Sequence, residues 1–384
     1  MKEGWSYKKL GEVCDTINGL WKGKKPPFVN VGVIRNANFT KDFTLRFDNI
    51  EYLDVEERQY SKRKLQKGDL IVEKSGGSEK QPVGRAVLFD RENGEFSFSN
   101  FTSVLRIKDK NTLLSEFLYK YLLFIYKRGD TSTMQKATTG IHNIEFEKYL
   151  NIDVPCIPLA EQRSIVARLD AAFSHIDALK ANAEKQLNEA RKLFQAELTE
   201  CLKPKEGWEE KTLPKLSENL DSIRKPVTKK DRTEGIYPYY GASGIVDYVD
   251  NYLFDEDLLC ISEDGANLLM RTYPIAFPIS GKAWVNNHAH VLRFKCMSTQ
   301  RYVEYYFAEL NLNEYITGAA QPKLTQKALN SIIINIPSSL AEQRSIVSHL
   351  DSLSSNIRKL EELQQKTIAE CDALKQAMLR DVFE

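Results

Sequence analysis

Residues 159–170 read LAEQRSIVARLD and residues 340–351 read LAEQRSIVSHLD, identical at ten of twelve positions. Self-similarity of this kind marks an internal repeat, but a separation of 181 residues far exceeds the 20–50 residues, roughly, of a solenoid unit. The sequence is therefore a duplicated half. The duplication reaches the start of each half, where Lys2-Glu3-Gly4-Trp5 with Lys8 and Leu10 recurs as Lys205-Glu206-Gly207-Trp208 with Lys211 and Leu213. A fainter echo lies inside: Asn100 precedes Val104-Leu105-Arg106 as Asn287 precedes Val291-Leu292-Arg293. Between these anchors the halves diverge.

Downstream of each LAEQRSIV no Pro or Gly occurs, from Leu159 to Leu202 and from Leu340 to Glu384, so each copy predicts a long helix. A seam of heptad spacing runs through the second, with Leu350, Ile357, Gln364, Cys371 and Met378 in one row and Leu353, Leu360, Thr367 and Leu374 in the other. The first helix offers Leu169, Ile176, Ala183 and Ala190 beside Ala172, Leu179, Gln186 and Leu193. Duplicated halves pair naturally about a pseudo-two-fold axis, which predicts an antiparallel coiled coil. Each helix alone on its own domain is the other solution. At 1.5 Å per residue, a helix of about 40 residues is roughly 60 Å long, a rigid spacer.

Outside the helices the pattern is mixed. Asp69 to Val72, Ser103 to Ile107 and Ser331 to Ile336 read as strands, whereas 113–126 and 300–312 have helical periodicity. Lys203-Pro204-Lys205-Glu206-Gly207 breaks the first long helix. The fold class is thus mixed α/β: two globular domains, 1–157 and 204–338, joined by long helices over 158–203 and 339–384.

Composition limits what such a chain does. Its 384 residues suffice for two cores. Apolar content of 42% and charged content of 28% are ordinary for a soluble protein, and no apolar run approaches the roughly 20 residues of a bilayer span. The opening MKEGWSYKKL lacks the apolar stretch and cleavage site of a secretory signal, so a cytoplasmic protein without a membrane partner is expected. Cys14, Cys156, Cys201, Cys260, Cys296 and Cys371 stand singly, which fits neither a disulfide framework nor a zinc ribbon. Net charge is only +1; residues 1–157 carry 26 Lys and Arg against 21 Asp and Glu, and residues 204–338 carry 15 against 17. Any basic footprint for nucleic acid must be local.

Three enzymatic readings fail on chemistry. Lys25-Pro26-Pro27-Phe28 has the outline of an amino-methyltransferase motif, but its first residue must accept hydrogen bonds from the target amine and lysine only donates. Asp69 with Glu73 and Lys74 lacks nuclease spacing, because adjacent residues on a strand point to opposite faces. No G-x-x-x-x-G-K-[ST] phosphate loop is present. Catalytic residues are accordingly not expected, nor is a metal site: His288 and His290 have no third ligand nearby in sequence.

The alternation of divergent domains with helices entered through Pro158-Leu159-Ala160-Glu161-Gln162 and Leu340-Ala341-Glu342-Gln343 resembles the specificity subunits of type I restriction-modification systems over nearly the whole chain. Residues 239–245 (YYGASGI), 262–267 (SEDGAN) and 286–292 (NNHAHVL) are phrases similar to that family's. The resemblance implies that 1–157 and 204–338 are target-recognition domains, each reading one half of a bipartite, asymmetric site in double-stranded DNA. It implies that the helices set the gap and dock two modification (methyltransferase) subunits, with two restriction subunits completing the complex. Cofactors would belong to those partners: S-adenosylmethionine for adenine methylation, ATP and magnesium for restriction. Half-sites read from one face lie about 34 Å apart, compatible with the helical spacer.

Base readout needs donors and acceptors such as Arg, Asn and Gln, while Lys mainly positions the backbone. Candidates in the first domain are Lys22, Lys24, Lys25, Arg35, Asn36, Lys62, Arg63 and Lys64. In the second they are Tyr239, Tyr240 and Ser243 beside two glycines, with Asn286, Asn287, His288 and His290 before an apolar strand. A solvated charged face or an ordinary glycine turn explains each cluster alone equally well. Glu161, Gln162 and Arg163, with Glu342, Gln343 and Arg344, are expected to bind a shared partner, although acidic residues also suit a helix's first turn. Two other functions stay open: a coiled-coil scaffold or adaptor, favoured by the near-zero charge, and a single-chain DNA methyltransferase or nuclease.

Overall fold

The computed structural model describes residues 2–20, 23–79, 81–138, 141–318 and 321–384. The chain divides into two compact units, one of Met1–Ala183 with Lys366–Glu384 and one of Glu184–Gln365. Each unit therefore combines a globular α/β portion with parts of both long helices.

In the first unit a four-stranded antiparallel sheet has the order Cys14–Asn18, Thr102–Ile107, Leu70–Glu73, Ala86–Leu88. All four residues of Leu70–Glu73 are buried, as expected of a strand covered on both faces. The helix Ser115–Arg128 covers the sheet with Phe117, Leu118, Tyr121, Leu122, Phe124 and Ile125, the i, i+3, i+4 spacing of a core-facing stripe. It stops at Gly129, whose φ of 93° is left-handed and whose N–H caps the carbonyls of Ile125 and Tyr126. A smaller sheet, Glu51–Glu56, Phe28–Ile34 and Phe96–Phe98, closes a second core around Phe39, Phe89 and Phe98.

The second unit repeats this plan. Its sheet runs Ser217–Asn219, Ala289–Phe294, Leu258–Ser262, Ala276–Ile279, with Met297–Glu309 as the covering helix and Gly244–Val249, Glu234–Gly241, Lys282–Val285, Phe254–Asp255 as the smaller sheet. The echo seen in sequence is the second strand of each main sheet. Leu105 lies opposite Leu70 in one, and Leu292 lies opposite Leu259 in the other. The repeated arginine has a physical reason too: Arg106 forks onto the Asp69 carboxylate at 2.8 and 2.7 Å, and Arg293 onto Glu256.

The long helices span Leu159–Leu202 and Leu340–Phe383. They pair antiparallel. In the first unit Lys180 reaches Asp372 at 2.9 Å and Lys375 pairs with Asp177; in the second, Gln364 donates to Gln186 at 2.8 Å and Arg191 meets Glu361 at 2.8 Å. The first row of the expected seam is observed, with Leu169, Ile176, Ala183, Leu350, Gln364 and Cys371 buried. The second row is observed in part, with Ala172, Leu353, Leu360 and Thr367 half-buried. Leu179, Leu193 and Leu374 are exposed by half or more, and Phe173, Lys180, Leu187 and Phe194 take the inward positions of the first helix instead. A real helix has 3.6 residues per turn, so its buried stripe admits an i+4 neighbour as readily as i+3.

Candidate nucleic-acid interface

Lys22 lies outside the described residues. Lys24, Lys25 and Lys62 are exposed and remain open to DNA. The other first-domain candidates have structural partners: Arg35 pairs with Glu51, Lys64 reaches Glu95 at 3.1 Å, and Arg63 donates to the carbonyls of Asn18 and Gly19 at 3.1 Å. The Asn36 amide donates to the Ser75 carbonyl at 2.6 Å.

In the second domain Ser243, Asn287 and His288 are exposed, the serine on a turn closed by Gly244 at φ 115°. Three expectations of DNA contact are corrected by burial. Tyr239 is 1% exposed, its hydroxyl accepting from the Val227 N–H at 2.9 Å. Asn286 is buried and accepts from the His288 N–H at 2.8 Å, which shapes the loop that presents Asn287 and His288. His290 is fully buried. Its ring meets Asp221 at 2.6 Å and the Leu324 carbonyl at 2.8 Å. Tyr240 is half-buried and stacks on Phe277.

His290 belongs to a buried ion network. Arg224 reaches Glu263 at 2.6 Å and Asp221 at 3.2 Å, and Lys323 reaches Glu263 at 3.1 Å. Burial pushes the Asp221 carboxyl up, but the His290 hydrogen bond and charge, the Val291 N–H and Arg224 outweigh it and hold it below its ordinary value. Glu263 is lowered against the same opposing burial by Arg224, His290 and Lys323. Ligand-type atoms of Asp221, Glu263 and His290 lie within 4.8 Å of one another, as do those of Glu197, Cys201 and His349. In the first group two cations already neutralise the carboxylates.

The partner candidates divide. Glu161, Arg163, Glu342 and Arg344 are exposed, with Glu342 accepting from the Trp208 indole at 3.0 Å. Gln162 and Gln343 are buried, so the expectation of partner contact is corrected for both. Gln162 accepts from the Leu114 N–H at 2.8 Å and donates to the carbonyls of Thr112 and Ile157 at 2.9 and 2.8 Å. Gln343 accepts from the Thr299 hydroxyl at 2.8 Å and donates to the Pro337 carbonyl at 2.7 Å. The repeated glutamine clamps each long helix to its own domain.

Sequence reasoning missed a polar hollow of about 580 Å³ in the first domain, lined by Asn18, Lys74, Ser75, Asn100, Phe101 and Asn143 among others. Lys74 is half-buried; its ammonium reaches the Asn18 amide oxygen at 3.3 Å and no carboxylate within 4 Å among the described residues. Burial alone pushes it below its ordinary value. Phe101 is 52% exposed at this hollow. The second domain builds the same place on the same backbone bonds. The Lys74 N–H donates to the Phe101 carbonyl at 2.9 Å, as the Glu263 N–H does to His288 at 2.9 Å. The Ile144 N–H donates to the Lys74 carbonyl at 2.8 Å, as the Leu324 N–H does to Glu263 at 2.7 Å. Asn143 opposes Ser75, as Lys323 opposes Asp264. The residue after each repeated asparagine, Phe101 or His288, was the signal in sequence.

The reactive-looking carboxylates are occupied. Glu73 is bridged by Arg85 at 2.8 and 3.1 Å, and Asp69 by Arg106. No helix among the described residues is long and apolar enough to cross a membrane.

Comparison with known proteins agrees with this duplicated architecture. The family model described as the type I restriction modification DNA specificity domain matches residues 2–189 and 205–369. A relative in Haemophilus influenzae, assigned as a type I restriction enzyme specificity subunit, is 37% identical over 144 residues, 38% of this chain and 37% of that one. The chain thus spans little more than a third of that relative. The EcoKI specificity subunit of Escherichia coli is 24% identical over 429 residues, covering 100% of this chain and 89% of the other. A solved chain from work on complex assembly and conformational transition of the type I R-M system shares the fold, with a TM-score of 0.78 at 18% identity over 100% of this chain and 98% of that one. With two domains of one plan, each tied to a long helix by the same glutamine and together taking in both matched segments, the chain belongs to the type I restriction-modification DNA specificity family.

Proposed function

We propose that this specificity subunit is itself non-catalytic and directs the chemistry of partners, each recognition domain reading one half of a bipartite, asymmetric site in double-stranded DNA. The observation that carries this is the pairing of one backbone plan with two different sets of side chains, Lys74 and Phe101 in one domain against Glu263 and His288 in the other. A scaffold has no use for that divergence. Occupation of Asp69 and Glu73 by arginines supports the absence of a nuclease centre here.

The long helices set the spacing and dock two modification subunits, which hold S-adenosylmethionine; two restriction subunits supply ATP- and magnesium-dependent cleavage, in the cytoplasm. Support for helical docking comes from Leu193 and Leu374, equivalent in the repeat and 61% and 51% exposed. The test is to map methyladenine in the source cell with the gene intact and deleted. Loss of a split, asymmetric motif on deletion is expected. Unchanged methylation in an actively methylating strain overturns the reading in favour of the scaffold.

A further inference from the structure

We infer that the hollow around Lys74, Asn18, Asn143 and Phe101 is the base-reading site of the first domain, and that its half-site contains a guanine whose acceptor edge meets Lys74. This rests on the DNA-specificity reading and assigns residues and a base to it.

Four observations lead there. First, Lys74 brings three donors and, among the described residues, makes a single long hydrogen bond, to Asn18 at 3.3 Å. Guanine presents two acceptors, N7 and O6, side by side in the major groove, the edge a cation reads best. Second, the lysine is half-buried. A lysine that only positions phosphate stands at the surface, whereas this one lines a hollow together with the half-exposed Phe101. Third, the lining includes three amides, Asn18, Asn100 and Asn143, which match base edges by donating and accepting together. Fourth, the equivalent place in the second domain keeps the backbone bonds and replaces the chemistry. Glu263 stands for Lys74, Lys323 for Asn143 and His288 for Phe101, with His288 held by Asp264 at 2.9 Å. Two readers of unlike half-sites require just this: a shared frame and side chains that differ at the point of contact.

The experiment compares the methyladenine motif of cells carrying the full chain with Lys74→Gln, Phe101→Ser or His288→Gln, at the native locus. With Lys74→Gln, a guanine in one half of the motif is expected to relax or change while the other half is retained, and duplex affinity for the original site to fall roughly 5- to 150-fold. His288→Gln is expected to alter the opposite half. If Lys74→Gln leaves the motif unchanged, or weakens methylation uniformly as loss of a phosphate contact does, the proposal is overturned while the specificity reading stands. If the unsubstituted gene directs no split motif, it is the specificity reading that fails. Should Lys74→Gln not fold, Phe101→Ser decides on the same criterion: it substitutes a half-exposed side chain at the rim of the hollow, and an unaltered half-motif overturns the assignment.

Discussion

Gln162 sits at the entry of the first long helix with three backbone groups depending on it, and Gln343 serves the same junction in the second half. Replacing Gln162 with Ala strands a buried N–H and two carbonyls, at about 1–3 kcal/mol for an unsatisfied buried group. Denaturant unfolding of Gln162→Ala should show that loss, while the exposed Arg163→Ala should stay within about 0.5 kcal/mol of the parent. The network around His290 makes a pH-dependent claim. Asp221 and Glu263 have folded-state values below their ordinary ones, so the stability they contribute is present above the ordinary carboxylate range, near about 4, and is lost as pH falls through the folded values. Thermal unfolding at neutral pH and at about pH 3 should show a drop in the parent that Asp221→Asn has largely taken already at neutral pH. At this scale the repeated residues were legible as repeats but not as roles. A glutamine identical in both halves reads as a partner surface in sequence, and only its burial shows that it is a clamp. Tyr239 and His290 were misread for the same reason: polar residues near glycines or turns carry no sign of which way the strand faces.

Among elements, the long helices were legible in length and pairing because uninterrupted helix formers and an apolar repeat suffice to specify them. Their second seam row was legible only in part, because a one-residue shift from Leu179 to Lys180 depends on which side chain the partner helix can accommodate. The leucines left outside, Leu193 and Leu374, are available to a partner on each copy. Substituting both with Glu should leave unfolding within about 1 kcal/mol of the parent and weaken co-purification with a modification subunit by an order of magnitude or more; unchanged co-purification would place docking elsewhere. The base-reading hollow was illegible for a different reason. Its lining comes from four separate strands or loops that meet only when the sheet register is fixed, and the aligned echo at Asn100 and Asn287 points to one position of it.

At the level of the molecule, each unit takes part of its core from sequence far away. Phe383 packs edge-on against Trp5, Phe117 and Tyr121 at 5.2–6.4 Å between ring centres, and Leu379 and Val382 are buried in the same cluster. Phe383→Ala should cost about 3–5 kcal/mol by leaving a cavity among these rings. Because the loss falls in the first unit, it should be read by proteolysis or hydrogen exchange confined to residues of that unit. Equal loosening of both units would show that they unfold as one.

The same contact sets an order of events during synthesis. Lys2 donates to the Val382 carbonyl at 2.8 Å across 380 residues of sequence. The first domain therefore leaves the ribosome with Phe117, Tyr121 and Phe124 uncovered, and it waits while the whole second domain is made. At about 5–20 residues per second that interval is roughly 10–45 s. Throughout it a nascent chain presents an open aromatic face, a natural client for a chaperone, and the first domain closes only when its own late-arriving helix returns to it.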